Sequence, residues 1–114
     1  MSPTLLPAEL MEWLDSRTPQ PPAALREKLV ELLAAHCSTT EGAIASTLGE
    51  AAITALAKAI EKCDDRSSAM DLLAADALLT YAMEAAAEQG SAAVHAVALA
   101  YGNHRLAALV TGVQ

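Results

Sequence analysis

Acidic and hydroxyl side chains interrupt the leucine- and alanine-rich stretch LLAADALLTYAMEAAAE at residues 72–88. In a helix with about 100° per residue, Asp76, Thr80, Glu84 and Glu88 form one winding row. A carboxylate pair facing one cleft could perform acid–base chemistry or bind a metal ion. Asp76 and Glu84 are about 12 Å apart along the axis, however, too far to share one proton or ion. The row therefore predicts a water-facing stripe with Asp76 exposed, opposite a buried side that carries Leu72, Ala75, Leu78, Leu79 and Ala82.

Histidine and cysteine residues are too scattered to predict a metal or nucleophile site. The ligand types are His36, Cys37, Cys63, His95 and His104, without the closely spaced pair that zinc sites usually contain. His95 and His104 fall on opposite sides of a straight helix. Cys63 follows an apolar arc and is expected to be a small core residue. The glycines are scattered singly, without a phosphate-binding loop. We therefore expect no catalytic residue, no metal and no cofactor.

The composition favours an all-α fold. Of the 114 residues, 27 are alanine and 17 are leucine, while only 3% are aromatic. Alanine and leucine are strong helix formers, and the aromatic residues that strands favour are scarce. The net charge of −7 would repel phosphate backbones, so we expect no nucleic-acid binding. Ala45 and Gly49 have the spacing found in helix-turn-helix motifs. This does not change the expectation, because Glu50 lies where that motif requires an apolar residue in its turn.

Turn and cap signals divide the chain into five predicted helices. The proline-rich linker RTPQPP, residues 17–22, separates a short first helix from the rest of the chain. Ser38-x-x-Glu41 and Ser68-x-x-Asp71 resemble capping boxes, and Gly90 is a natural C-cap. The predicted helices cover residues 7–15, 22–36, 39–63, 68–89 and 91–110. Gly102-Asn103 leaves open whether the fifth helix is continuous or broken. We expect residues 1–20 to form a short helix and linker, and residues 21–114 to form an antiparallel four-helix bundle.

The chain carries no sequence signal for export or membrane insertion. Its first residues, MSPTLLPAELMEW, lack the basic region and apolar core of a signal peptide. No apolar run reaches the roughly 18 residues of a membrane span. Two cysteines are too few for a disulfide framework. We therefore expect a cytoplasmic protein that does not insert into a membrane.

The last 24 residues contain one formal charge, Arg105, and apolar residues in nearly every helical direction. A helix that is apolar all round must be covered on all sides, which predicts a homodimer or larger homo-oligomer. The residues expected at this interface are Val94, Val97, Tyr101, Leu106 and Leu109. A second expected contact surface, for a protein partner, is the first helix with Leu10, Trp13 and Leu14. The alternative is that Trp13 packs against the end of its own bundle.

Association, rather than catalysis, is the function that these patterns predict. The chain is expected to be a non-catalytic helical bundle that self-associates and docks a partner protein. The alternative is a bundle that binds an apolar small molecule in a core cavity. That cavity would be lined by Met70, Tyr81, Met83, Tyr101 and His95.

Overall fold

The computed structural model of this chain describes residues 8–37 and 44–111, and its described part is helical without strands. The helices are α1 (Ala8–Asp15), α2 (Ala23–Cys37), α3 (Ile44–Glu61), α4 (Ser68–Gln89), α5 (Ser91–Val97) and α6 (Ala107–Thr111). A π-helical segment, π1 (Ala98–Leu106), joins α5 to α6. The all-α class is therefore confirmed. The four-helix bundle arrangement stays a prediction.

The α3–α4 hairpin is the centre of the fold. These two helices pack extensively against each other across a short turn, α2 packs against both, and π1 contacts α3. The fully buried leucines Leu29, Leu33, Leu48 and Leu78 come from α2, α3 and α4. Many of the other buried positions are alanines such as Ala55, so the helices can approach closely. Each buried leucine contributes about 1.5–3 kcal/mol of hydrophobic stabilisation.

The first and last residues of α4 agree with the sequence prediction, but the cap at its N-terminus differs. Gly90 has a positive φ of 123°, and its N–H bonds to carbonyls of the last turn, as predicted for a glycine C-cap. At the other end, the predicted capping box is wrong, because Ser67 occupies the N-cap position without a side-chain hydrogen bond. Asp71 is instead buried beside Lys28. The Ser38–Glu41 box lies outside the described residues.

The π1 segment carries the chain past Gly102-Asn103 without a break. In an α-helix, Tyr101 and Leu106 would be about 140° apart. A π-helix has wider turns with i to i+5 hydrogen bonds, which bring residues five apart onto one face. Tyr101 is buried and Leu106 is half-buried against the same core. The local widening therefore turns both side chains toward the body of the protein.

The tail residues expected at an interface pack, wholly or in part, against the chain's own core. Val97 and Tyr101 belong to the chain's own core, and Val94, Leu106 and Leu109 are partly buried against it. The outward side consists mostly of alanine and polar residues, with Leu99 as the large exposed exception. Alanine is only weakly hydrophobic and tolerates water. Between residues 91 and 109, the outer flank of the tail is therefore mostly alanine and polar side chains. The homodimer stays a prediction, and this part of the tail does not supply the apolar surface from which it was predicted.

Candidate functional site

The polar row on α4 serves two different regions of the molecule. Asp76 and Thr80 are exposed, as predicted for a water-facing stripe. Glu84 and Glu88 are also exposed but form ion pairs with Arg17, at 3.0 and 3.3 Å. The row is therefore not a carboxylate pair enclosed in a cleft. Its C-terminal half contacts the segment that follows α1, and its N-terminal half does not.

Trp13 and Arg17 join α1 and the segment after it to α4. The Trp13 indole N–H donates to Glu88 Oε1 at 2.9 Å, and its ring meets Tyr81 edge-on with centroids 6.0 Å apart. The Arg17 guanidinium lies 4.0 Å from the centre of the Trp13 ring, within cation–π range. Burial, followed by the nearby Glu84 charge, raises the pKa of Tyr81, so this phenol remains protonated.

The predicted partner-docking face on α1 is turned inward. Leu10 and Leu14 are only 4% and 5% exposed, and Trp13 is half-buried against Tyr81. The alternative, in which Trp13 packs on its own chain, is what the structure contains. The face was misplaced because an isolated eight-residue helix has to bury its own apolar stripe somewhere, and α2 and α4 supply the surface. Leu10 and Leu14 are therefore covered by the chain itself while α1 is docked.

A second polar cluster fastens π1 to α3. Tyr101 Oη donates to Glu50 Oε2 at 3.1 Å, and Arg105 Nη1 donates to the same oxygen at 2.8 Å. Burial alone would raise the pKa of Glu50, but hydrogen bonds and charge from Arg105 outweigh it and lower that pKa overall. Burial and the Glu50 charge raise the pKa of Tyr101. The cluster is therefore a satisfied structural contact, with Tyr101 as a permanent donor.

Gly49 is required for that contact. A Cβ built on Gly49 would lie 2.6 Å from the ring of Tyr101, closer than real Cβ contacts occur. The absence of a side chain thus lets the phenol ring lie directly on the backbone of α3. The glycine therefore serves close packing between α3 and π1.

The predicted metal-ligand types do not converge. His36 Nε2 lies 2.8 Å from Thr54 Oγ1, while His95 and His104 are exposed on the α5–π1 side. Cys63 is exposed in the α3–α4 turn, so its prediction as a core residue is wrong. Nothing is described for the Cys37 side chain. Within residues 8–37 and 44–111, no three His, Cys, Asp or Glu side chains form a group that could hold a metal ion.

The two tyrosines that were expected to line a ligand-binding cavity in the core do not line one cavity together. Tyr81 packs on Trp13, whereas Tyr101 lies on Gly49, so the two phenols belong to separate contacts. The gap beside Tyr81, lined in part by Leu14 and Leu29, has a volume of 10 Å³. That is about the minimum for one water molecule.

An apolar groove lies on the surface formed by α3, α4 and π1. Its volume is 180 Å³, and it opens to solvent. The residues that line it are Ala52, Leu56, Leu72, Ala75, Asp76, Leu79 and Leu106. Leu72 is 54% exposed, so much of its side chain is open to solvent at the groove. Ile60, also exposed, lies one helical turn beyond Leu56 and extends the apolar surface.

The groove corrects the predicted placement of two leucines. Leu72 and Leu79 were expected opposite the polar row, but both line the groove together with Asp76. The spacing already contained this result, because residues four before and three after Asp76 are rotated from it by only about 40° and 60°. The signal is thus Leu72-x₃-Asp76-x₂-Leu79, a seven-residue apolar repeat with one carboxylate inside it.

These features define an all-α protein with an open apolar groove and two polar clusters, one around Arg17 and one around Glu50. No protein-family model matches this chain, and no curated protein or solved structure is significantly similar to it. None of the helices in the described ranges combines the length and apolar character needed to cross a membrane.

Proposed function

We propose that this protein is a non-catalytic association module that binds an amphipathic helix of another, basic protein in the groove. The observation that carries this proposal is the exposure of Leu72 beside Leu56, Leu79 and Leu106. Apolar surface that remains open in a single chain is stabilised when a partner removes it from water. Helix-in-groove recognition uses this geometry, with anchors spaced three, four and seven residues apart.

The contact of α1 with the body of the chain supports a helix as the occupant. α1 is itself a short amphipathic helix that buries Leu10 and Leu14. The adjoining cation, Arg17, reaches two carboxylates of α4. The outer surface of α4 thus already accommodates an apolar helix followed by a cation. A partner helix in the groove would repeat this type of contact on another face of α4.

Charge favours a basic partner over a second copy of the chain. The net charge of −7 makes two copies repel each other. Two copies docked through equivalent grooves would also bring two Asp76 carboxylates toward one interface. A basic helix avoids both the net-charge repulsion and the approach of two carboxylates. The homodimer predicted from the sequence is therefore a competing occupant, and the experiment distinguishes the two.

A pair of neighbouring leucines provides a matched test. Leu72 and Leu73 are both 54% exposed, but only Leu72 lines the groove. The probe is a synthetic helical peptide of about three heptads, with a leucine stripe at 3-4 spacing and lysines on its outer faces. We expect a Kd on the order of 10 μM by fluorescence anisotropy. Leu72→Ala should weaken binding about tenfold, whereas Leu73→Ala should leave it within about twofold.

The remaining outcomes contradict the proposal. Failure of the peptide to bind, or equal weakening by the two alanine variants, would show that the groove is not the binding surface. Sedimentation of the protein alone tests the competing occupant. A dimer that dissociates in Leu72→Ala but persists in Leu73→Ala would assign the groove to a second copy.

A further inference from the structure

We infer that Asp76 determines the specificity of the groove by selecting partner helices that place a lysine or arginine opposite it. This inference rests on the proposed function. Asp76 is the charged residue of a groove lining that is otherwise formed by leucine and alanine. A docked helix would cover this carboxylate together with Leu72 and Leu79.

Asp76 differs from the carboxylates that hold the fold together. Ion pairs within the chain engage Asp15, Glu50, Asp71, Glu84 and Glu88. Their cations are Arg17, Arg26, Lys28 and Arg105. No ion pair joins Asp76 to any cation of the described ranges. Its charge therefore remains available to a cation from outside the chain.

The position of Asp76 along α4 makes its charge decisive. It lies one turn from Leu72 on one side and one turn from Leu79 on the other. Both leucines are rotated from Asp76 in the same direction, by about 40° and 60°, so a helix that contacts both lies alongside the carboxylate at the outer edge of the groove and removes part of its water. Partial loss of water around an unpaired charge is unfavourable, so a partner helix that places a cation beside Asp76 binds more tightly than one that does not. A single polar residue within an apolar seam also fixes the register of the two helices.

Three peptides test this selection. They share the leucine stripe of the probe and differ at one central position in the stripe, which is lysine, glutamine or glutamate. For the wild-type protein we expect the lysine peptide to bind about tenfold more tightly than the glutamate peptide. Asp76→Asn should bring this ratio close to one, and Asp76→Lys should invert it. Added salt should reduce the wild-type ratio.

A matched charge control separates local pairing from net charge. Asp64 lies exposed in the α3–α4 turn, outside the groove lining, and Asp64→Asn changes the net charge as Asp76→Asn does. We expect Asp64→Asn to retain the wild-type lysine-to-glutamate ratio. An equal loss of that ratio in both variants would assign the preference to overall charge and overturn the inference.

The glutamine peptide keeps this inference distinct from the proposed function. If it binds with a dependence on Leu72 but the wild-type protein does not distinguish lysine from glutamate, the groove docks helices and Asp76 does not select them. If Asp76→Asn tightens all three peptides equally, the carboxylate only keeps the groove hydrated, and selection is again excluded. If none of the peptides binds, the proposed function itself fails.

Discussion

Two faces of α4 present leucine, tyrosine and carboxylate side chains, but only one of them is filled. On the first face, Tyr81, Glu84 and Glu88 contact Trp13 of α1 and Arg17 of the segment that follows α1. On the second face, Leu72, Asp76 and Leu79 line the open groove. A carboxylate on this helix is therefore not by itself a functional signal. Its meaning depends on whether the chain supplies the facing cation.

On the filled face, ion pairs and apolar burial contribute differently to stability. Arg17 forms two ion pairs with carboxylates that are about half exposed, and such surface pairs contribute roughly 0–1 kcal/mol each. Burial of Leu10 and Leu14 contributes about 1.5–3 kcal/mol for each side chain. Apolar contact therefore docks α1, and the Arg17 contacts orient it. The same division is expected for a partner in the groove, with the leucines supplying affinity and Asp76 supplying selection.

The largest expected effect is a contrast in stability between Leu14, which is buried under the docked α1, and Leu72, which lines the open groove. Leu14→Ala should lower the free energy of unfolding by about 2–5 kcal/mol, because it leaves a cavity under α1. Leu72→Ala should change it by less than about 0.5 kcal/mol, because Leu72 is half exposed. Urea unfolding followed by circular dichroism measures both. A Leu72→Ala variant as unstable as Leu14→Ala would mean that the groove belongs to the core.

A smaller effect contrasts the carboxylates of the two faces. Arg17→Met removes two surface ion pairs and a cation–π contact, and should lower stability by about 1 kcal/mol at low salt. The loss should shrink at high salt, where the ion pairs are screened. Asp76→Asn removes no ion pair of the described chain and should leave stability nearly unchanged. If Asp76→Asn substantially lowers the free energy of unfolding, Asp76 stabilises the fold and is not free to pair with a partner.

The sequence predicted local structure better than it predicted which face is filled. The α4 bounds follow from nearby signals, since DDRSS and Gly90 flank an uninterrupted run of helix formers. The neighbourhood of Leu72 and Leu79 could also have been derived, because it requires only the angle from Asp76. The pairing of Arg17 with Glu84 could not, since it joins residues 67 positions apart through a tertiary fold. Nor does any local rule specify that the helix widens at π1.

The smallest expected effect concerns the third wall of the groove. Leu106 reaches the groove from π1, and the Glu50 contacts with Tyr101 and Arg105 hold π1 on α3. The pKa of Glu50 in the folded protein is lowered below its ordinary value of 4.5. The ionised carboxylate therefore stabilises the folded protein above pH 4.5, and this contribution is lost as the pH falls through the folded-state pKa.

Glu50→Gln removes that titration. It should lower stability by about a few tenths of a kcal/mol at pH 7, and its deficit relative to wild type should shrink as the solution is acidified below pH 4.5. Urea midpoints at pH 7 and pH 3.5 measure the difference. Glu61→Gln is the control, because Glu61 is exposed at the end of α3 and forms no ion pair within the described ranges. A Glu50→Gln deficit that stays constant with pH would show that shape and hydrogen bonding, rather than charge, hold π1 beside the groove.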